Sequence, residues 1–410
     1  MKRIISLFLA IVMLCLCLGS CRLNVFCSHN NPRRIVLVQG YPAQNYVEGL
    51  TDGWICLNCG EMVIPQTIIP QLIQNGSNNT DTDTQDKQYK LGMGVAFGEF
   101  TNSQINATIA SVVLDNNGKI VVCRIDAVYN RYVVDLNDEI INFTNLKTKV
   151  ELGYDYAMSM FGTSLVGNST VKEWFEQAQA FENWAVGKTV DEIANMPLKR
   201  MPNGYVISAD QDLLNAGCTI SIEDFRDAVV KACNDDQGAY FSTKEPIKLG
   251  IAATSMDNGS QFYDEYIRVR TMVYLATSVV ADGKIVATIN DAIAPEIHLD
   301  WEQNVIEISV GKGAGILKTH RELKEDYKMS LYGTNMDWNG DGVVKEWYEQ
   351  SAAFSKHVVG MTAREVANMP TMQIENGYII SADDALLSAG CTIMITDMKE
   401  IVAKSVENAR

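Results

Sequence analysis

The chain has 410 residues, 34 of them basic and 50 acidic, for a net charge of -16. The acidic excess argues against nucleic-acid binding, which needs clustered Lys and Arg, and against a polybasic grip on anionic lipid. Its 4 His, at positions 29, 298, 320 and 357, leave little material for a histidine-built catalytic or metal centre.

The first predicted element is an address. Lys2 and Arg3 precede a nearly unbroken apolar run, Ile4 to Leu18. A basic start, about 15 apolar residues and then small residues describe a secretory signal over 1–20, too short for a spanning helix. Leu18-Gly19-Ser20-Cys21 resembles a bacterial lipobox. That resemblance implies lipidation of Cys21 and attachment to the extracytoplasmic face of the membrane through the lipid, with plain secretion or an uncleaved anchor as the alternatives. Residues 21–74 form a small segment containing Cys56-Leu57-Asn58-Cys59. A zinc ribbon needs a second such pair, so Cys56 and Cys59 are read as a local disulfide or free thiols, ahead of a redox pair. Residues 75–89, rich in Asn, Thr, Asp and Gln, read as a flexible polar linker.

The rest of the chain repeats itself. Residues 171–222 align without a gap with 344–395, and 31 of the 52 positions are identical. Val171-Lys172-Glu173-Trp174-Phe175-Glu176-Gln177 returns as Val344-Lys345-Glu346-Trp347-Tyr348-Glu349-Gln350, and Ala216-Gly217-Cys218-Thr219-Ile220 as Ala389-Gly390-Cys391-Thr392-Ile393. Upstream, Lys90-Leu91-Gly92 matches Lys248-Leu249-Gly250 and Asp126-Ala127 matches Asp291-Ala292. A period this long is a domain duplication, giving two homologous domains at 90–237 and 247–410.

Within each repeat a hairpin comes first. Strands at 106–114 and 120–125 flank Asp115-Asn116-Asn117-Gly118, and strands at 272–280 and 285–289 flank Asp282-Gly283. Helices follow. Val171, Trp174, Phe175, Ala178 and Phe181 recur at helical spacing, with Thr170 three before Glu173 as a capping box. Thr189-x-x-Glu192 and Thr362-x-x-Glu365 open a second helix, stopped at Pro197 and Pro370. A third starts at Ser208 or Ser381 and ends on a left-handed Gly217 or Gly390. A last helix spans 223–233 and 397–406. Strands followed by helices predict an α+β fold with an antiparallel sheet in each repeat.

The candidate chemistry lies at the late Ala-Gly-Cys-Thr-Ile segment. Backbone amides at a helix start favour an anion, and Thr219, Ser221 and Thr392 would stand in that corner. The plainer reading has these hydroxyls capping the last helix, with Cys218 and Cys391 as small buried hydrophobes. Trp174 and Trp347 are read as core rather than stacking platforms. Asp337-Trp338-Asn339-Gly340-Asp341-Gly342 begins like a calcium loop but has Tyr348 at the twelfth position, where Glu is needed. The glycine runs at 92–98 and 311–315 lack nucleotide-loop spacing and are read as structural.

The hairpin with Gly-Lys-Ile, the Lys-Thr before Glu-Leu and Asp-Tyr, the Lys-Glu-Trp-(Phe/Tyr)-Glu-Gln motif and the late Ala-Gly-Cys-Thr-Ile together resemble the flavin-mononucleotide-binding domain family, in particular its tandem lipoprotein branch in anaerobic Gram-positive bacteria. The resemblance covers most of both repeats and implies a curled-sheet α+β fold and flavin mononucleotide (FMN) as cofactor. Flavin-carrying members read Ser-Gly-Ala-Thr-x-Thr and esterify the final hydroxyl. Here Ala216 and Ala389 replace the Ser, Thr219 and Thr392 match the first Thr, and the accepting position is Ser221 in repeat one but Met394 in repeat two. Met394 cannot form an ester, so covalent flavin is excluded at that position.

These readings point first to a membrane-anchored extracytoplasmic lipoprotein that binds or scaffolds and is not catalytic. The alternative is a flavin-dependent electron-transfer protein. An enzyme proper finds no nucleophile–base pair or metal cluster to stand on. The protein partner left open is a redox or cell-surface protein.

Overall fold

The computed structural model describes residues 88–162, 171–310, 317–332, 344–375 and 377–410, together with five short strands between residues 35 and 69. The signal, Cys21, Cys59, most of the linker, Thr170, the Asp337–Asp341 loop and the run 311–315 lie outside the described residues. The chain divides into two units, Met1–Asn75 and Gly76–Arg410. In the first, Ile35–Val38 pairs with Gly53–Cys56 and that strand with Met62–Ile64, while Gly49–Leu50 pairs with Ile68–Ile69, all antiparallel. Among the described residues no helix is long and apolar enough to cross a membrane.

In the second unit, repeat one opens with β1 (Gln88–Phe100), β2 (Gln104–Leu114), β3 (Ile120–Asp135) and β4 (Ile140–Asn145). The linker therefore ends before residue 88, because Gln88 and Tyr89 already pair in the sheet. Next come α1 (Lys149–Leu152), a 3-10 turn at Gly153–Tyr156, α2 (Met158–Phe161), α3 (Trp174–Ala185) and α4 (Val190–Ala194). A small ribbon, β5 (Leu198–Arg200) and β6 (Val206–Ser208), leads to α5 (Gln211–Asn215), α6 (Glu223–Cys233) and β7 (Ala239–Ser242). The sheet order is β7-β1-β2-β3-β4, antiparallel throughout. Because β7 pairs with β1, repeat one extends past its expected end at 237.

Repeat two follows the same plan: β8 (Lys248–Asp257), β9 (Gln261–Phe262), β10 (Ile267–Ala281), β11 (Lys284–Ile293), β12 (Glu296–Leu299) and β13 (Val305–Ser309). Its helices are α7 (His320–Leu323), α8 (Met329–Tyr332), α9 (Trp347–His357) and α10 (Ala363–Ala367); after the ribbon β14 (Thr371–Gln373) and β15 (Ile379–Ser381) come α11 (Asp384–Ser388) and α12 (Thr396–Glu407). One half of β10 pairs with β8 and β11, and the other half with β9 and β12. The α+β expectation holds, with curled antiparallel sheets and several helices.

The central strands of the two main sheets bury both faces over much of their length. On one face Ala110, Val112, Cys123 and Ile125 pack under α3 and α6, with Phe181, Phe225 and Val229 in the same cluster. Repeat two repeats this with Ala276, Phe354, Ile401 and Val402. On the opposite face the two repeats meet. Ile105, Tyr132 and Val134 form one cluster with Ile267, Val269, Ile297 and Leu299. The repeats thus share a core. At its polar centre Ser111 Oγ lies 2.6 Å from Thr277 Oγ1, and these hydroxyls also reach the carbonyls of Gly92 and Gly250. Ser111 and Thr277 each precede the residue paired across from the Lys-Leu-Gly glycine, so equivalent positions touch. That is the signature of an isologous, two-fold contact.

Three helix starts differ from expectation. Helix α3 is capped by Glu173, not Thr170: the Glu173 carboxylate accepts from the amide of its own third helical residue, Glu176, whose side chain returns the bond. The same carboxylate accepts from the amides of Met158 and Ser159, and Glu346 repeats this with Met329 and Ser330. Helices α5 and α11 are capped by Asp210 and Asp383 rather than Ser208 and Ser381, which end strands. The capping boxes at Thr189 and Thr362 are as predicted.

Candidate functional site

The two strongest repeated motifs bind each other. Gly217 (φ 92°) and Gly390 (φ 90°) end α5 and α11 in the left-handed region, as expected. Lys172 Nζ donates to Ala216 O at 3.0 Å, and Lys345 Nζ to Ala389 O at 2.8 Å. Gln177 Nε2 donates to Lys172 O, while its Oε1 accepts from the Thr219 amide at 2.8 Å and from Thr219 Oγ1 at 3.3 Å. Gln350 does the same for Thr392, at 2.7 and 3.3 Å. Both glutamines are fully buried, so each satisfied amide holds its segment rigidly. Thr219 and Thr392 are therefore occupied structurally.

Neither reading of the helix start survives in full. Ile222 and Ile395 are the cap residues of α6 and α12, without a side-chain cap bond, so the nearby hydroxyls do not cap these helices. Glu223 and Asp224 occupy the first turn of α6, and Asp397 that of α12. Carboxylates already complement the helix dipole where an anion was expected. Cys218 and Cys391 are buried, with thiols pushed up to about 12 by burial, which fits small hydrophobes. Among the described residues no group of three metal-ligating side chains occurs.

Repeat one nonetheless holds a cavity of 520 Å³ beside this segment, within the usual size of small-molecule sites. Thr219, Ser221, Tyr205, Trp174, Asp224 and Lys149 are among its walls. Trp174 is core, as expected, but also lines the cavity; its ring meets Phe225 edge-on at 5.3 Å. Tyr205 is 50% exposed at the rim, while Tyr378 is half-buried in the matching turn of repeat two.

Lys149 is the residue that sequence reasoning missed. Its Nζ lies 5.5, 5.2 and 5.3 Å from the ring centres of Tyr129, Tyr156 and Trp174. Burial lowers its pKa to about 8, against the opposing pull of Asp224, Asp126 and Glu99. Burial also raises the Asp224 carboxyl above its ordinary range. In repeat two the matching position is His320, buried 4.5 Å from Tyr327 and edge-on to Trp347 at 5.2 Å. The Lys-to-His change inside an otherwise repeated Thr-x-x-Glu cap was the available signal. Ser221 faces the repeat-one cavity, whereas Met394 stands at its place in repeat two, 38% exposed. Cys56 lies in the strand Gly53–Cys56, and its pairing with Cys59 falls outside the described residues.

A buried carboxylate supports each α1-type turn. Asp126 Oδ1 accepts from the amides of Ala127 and Val150, and Asp291 Oδ1 from those of Ala292 and Arg321. Burial raises both carboxyls to about 6. The folded state therefore binds protons that the unfolded chain has released above about pH 4, so this contribution is full below that pH and is lost as pH rises through about 6. Asp126→Asn and Asp291→Asn keep the accepting oxygen, and together they are expected to flatten that decline. Urea unfolding at acidic and neutral pH checks it; an unchanged slope would show that other groups set the pH dependence.

Comparison with protein-family models, curated proteins and solved structures gives no match to this chain.

Proposed function

We propose that the protein is a membrane-anchored, extracytoplasmic binding lipoprotein with one small-molecule site, in repeat one, and a second repeat that serves as scaffold. The contrast at equivalent positions carries this reading: Ser221 and Lys149 face a 520 Å³ cavity, while Met394 and His320 stand in their places. The anchor rests on the lipobox-like Leu18-Gly19-Ser20-Cys21.

FMN is the first ligand to test, because the repeat's motifs resemble those of flavin-binding domains. The cavity suits it in part: Trp174 and Tyr205 offer ring contacts and Lys149 a positive charge, while Glu223 and Asp224 oppose a phosphate at the helix start. Flavin, when bound, supplies reversible electron transfer; these residues would only hold and orient it. Titration of the mature protein with FMN, followed by flavin fluorescence, is expected to give one reversible site per chain. Trp174→Phe should weaken it about tenfold, or 1.4 kcal/mol, and Met394→Ser should leave it unchanged. No complex with FMN or riboflavin would remove flavin from the reading. The second reading, a flavin electron carrier, rests on Ser221 lying at the cavity wall. It requires a visible flavin band that survives denaturation and disappears in Ser221→Ala.

A further inference from the structure

We propose that Lys149 is a carbonyl-reactive amine, and that the repeat-one cavity captures an aldehyde with a planar conjugated body as an imine on Lys149 Nζ. The amine stands among the faces of Tyr129, Tyr156 and Trp174 and lines the 520 Å³ cavity. Among the described residues this nitrogen has no hydrogen bond or ion pair, and its near neighbours are the three rings. Desolvation of an amine is one of the conditions that activate lysine as a nucleophile. The charged groups acting on it are the carboxylates Asp224, Asp126 and Glu99, and Arg131 sits over the far ring, Tyr129.

Asp224 lines the same cavity as a carboxylate beside the amine. The step balances with these two groups and one proton from solvent hydronium. The neutral Nζ adds to the carbonyl carbon, and the carbonyl oxygen takes the solvent proton. The Asp224 carboxylate then removes a proton from the nitrogen and returns it to the departing hydroxyl. One water leaves, and a protonated imine remains beside the Asp224 carboxylate. No electrons are exchanged with any other species. The aromatic walls suit a conjugated aldehyde by stacking. His320 cannot form an imine, so repeat two predicts no second site.

The test uses the whole mature chain with pyridoxal as probe, trapping by borohydride, and mass mapping of every lysine. At limiting probe the adduct is expected mainly on Lys149, at least about tenfold above the mean of the other lysines, because a lower pKa leaves more free amine at neutral pH. Yield should rise between about pH 6 and 8 as the amine deprotonates. Lys149→Arg should lose the dominant adduct while keeping its melting temperature. Adducts spread over the lysines with Lys149 no higher than the rest would overturn the proposal, and wild-type mapping decides this even if the variant folds poorly. The inference rests on the same cavity as the binding reading but not on flavin. A Lys149 adduct without flavin affinity would keep it, and flavin affinity without the adduct would sink it alone.

Discussion

Arg321→Ala is expected to lower the unfolding free energy by about 3–5 kcal/mol, the usual result of removing one partner from a buried ion pair. Arg321 of repeat two reaches Asp235 of repeat one at 3.2 Å through Nη1 and Nη2, and donates to Gln237 O at 2.8 Å. The side chains are 8% and 7% exposed. Asp235 also accepts from the amides of Met93 and Gln237, so it is built into the end of repeat one. Without Arg321 a carboxylate stays behind in low dielectric. The double change Arg321→Met with Asp235→Leu removes both charges and should recover much of the loss. Urea denaturation of the three proteins checks this; a loss under about 1 kcal/mol for Arg321→Ala would mark the pair as effectively solvated.

Gly92→Val and Gly250→Val are each expected to cost about 3 kcal/mol or more, beyond the usual range for overpacking, because the obstacle is backbone. A Cβ at Gly250 would come within 1.8 Å of Ser405 O, and one at Gly92 within 2.0 Å of Ala232 O. These glycines let α12 and α6 lie directly on β8 and β1. Both carbonyls belong to the last turn of their helix, and backbone there cannot swing aside as a side chain can, so the helix end would have to lift. Gly118 is the control: its φ is +71° but nothing lies within 4 Å of a Cβ there, and Asn tolerates that conformation. Gly118→Asn should therefore melt close to wild type. Equal melting of all three variants would show that the helices sit more loosely on the sheets.

The repeat and the capped short helices were legible because each depends on local pattern. The Thr189 and Thr362 boxes close over three residues. The cap at Glu173 was misassigned to Thr170 because its bonds to Met158 and Ser159 come from fifteen and fourteen residues away. Strand lengths were underestimated for a related reason. Strand β3 is buried on both faces over 122–128 but alternates buried and exposed over 130–134, so two different patterns run along one strand and its full length is not marked by either. Nothing in Ser111 or Thr277 alone announces a contact 166 residues away. At the candidate site, Thr219 and Ser221 were singled out by the expected helix start and again by the resemblance. Lys149 was passed over because a lysine in a capped turn reads as solvated until three aromatic rings, from β3, the 3-10 turn and α3, are brought around it.

The touching hydroxyls of Ser111 and Thr277 have a consequence for how the chain divides its labour. A pair of identical subunits meeting on such a face would carry two identical sites, and any mutation in one would appear in both. Joining the pair in a single polypeptide removes that constraint and keeps the partner at a high effective concentration that dilution cannot lower. One half can then exchange its lysine for histidine and its serine for methionine while still covering the other's sheet. The expected stoichiometry of one ligand per chain follows from that freedom.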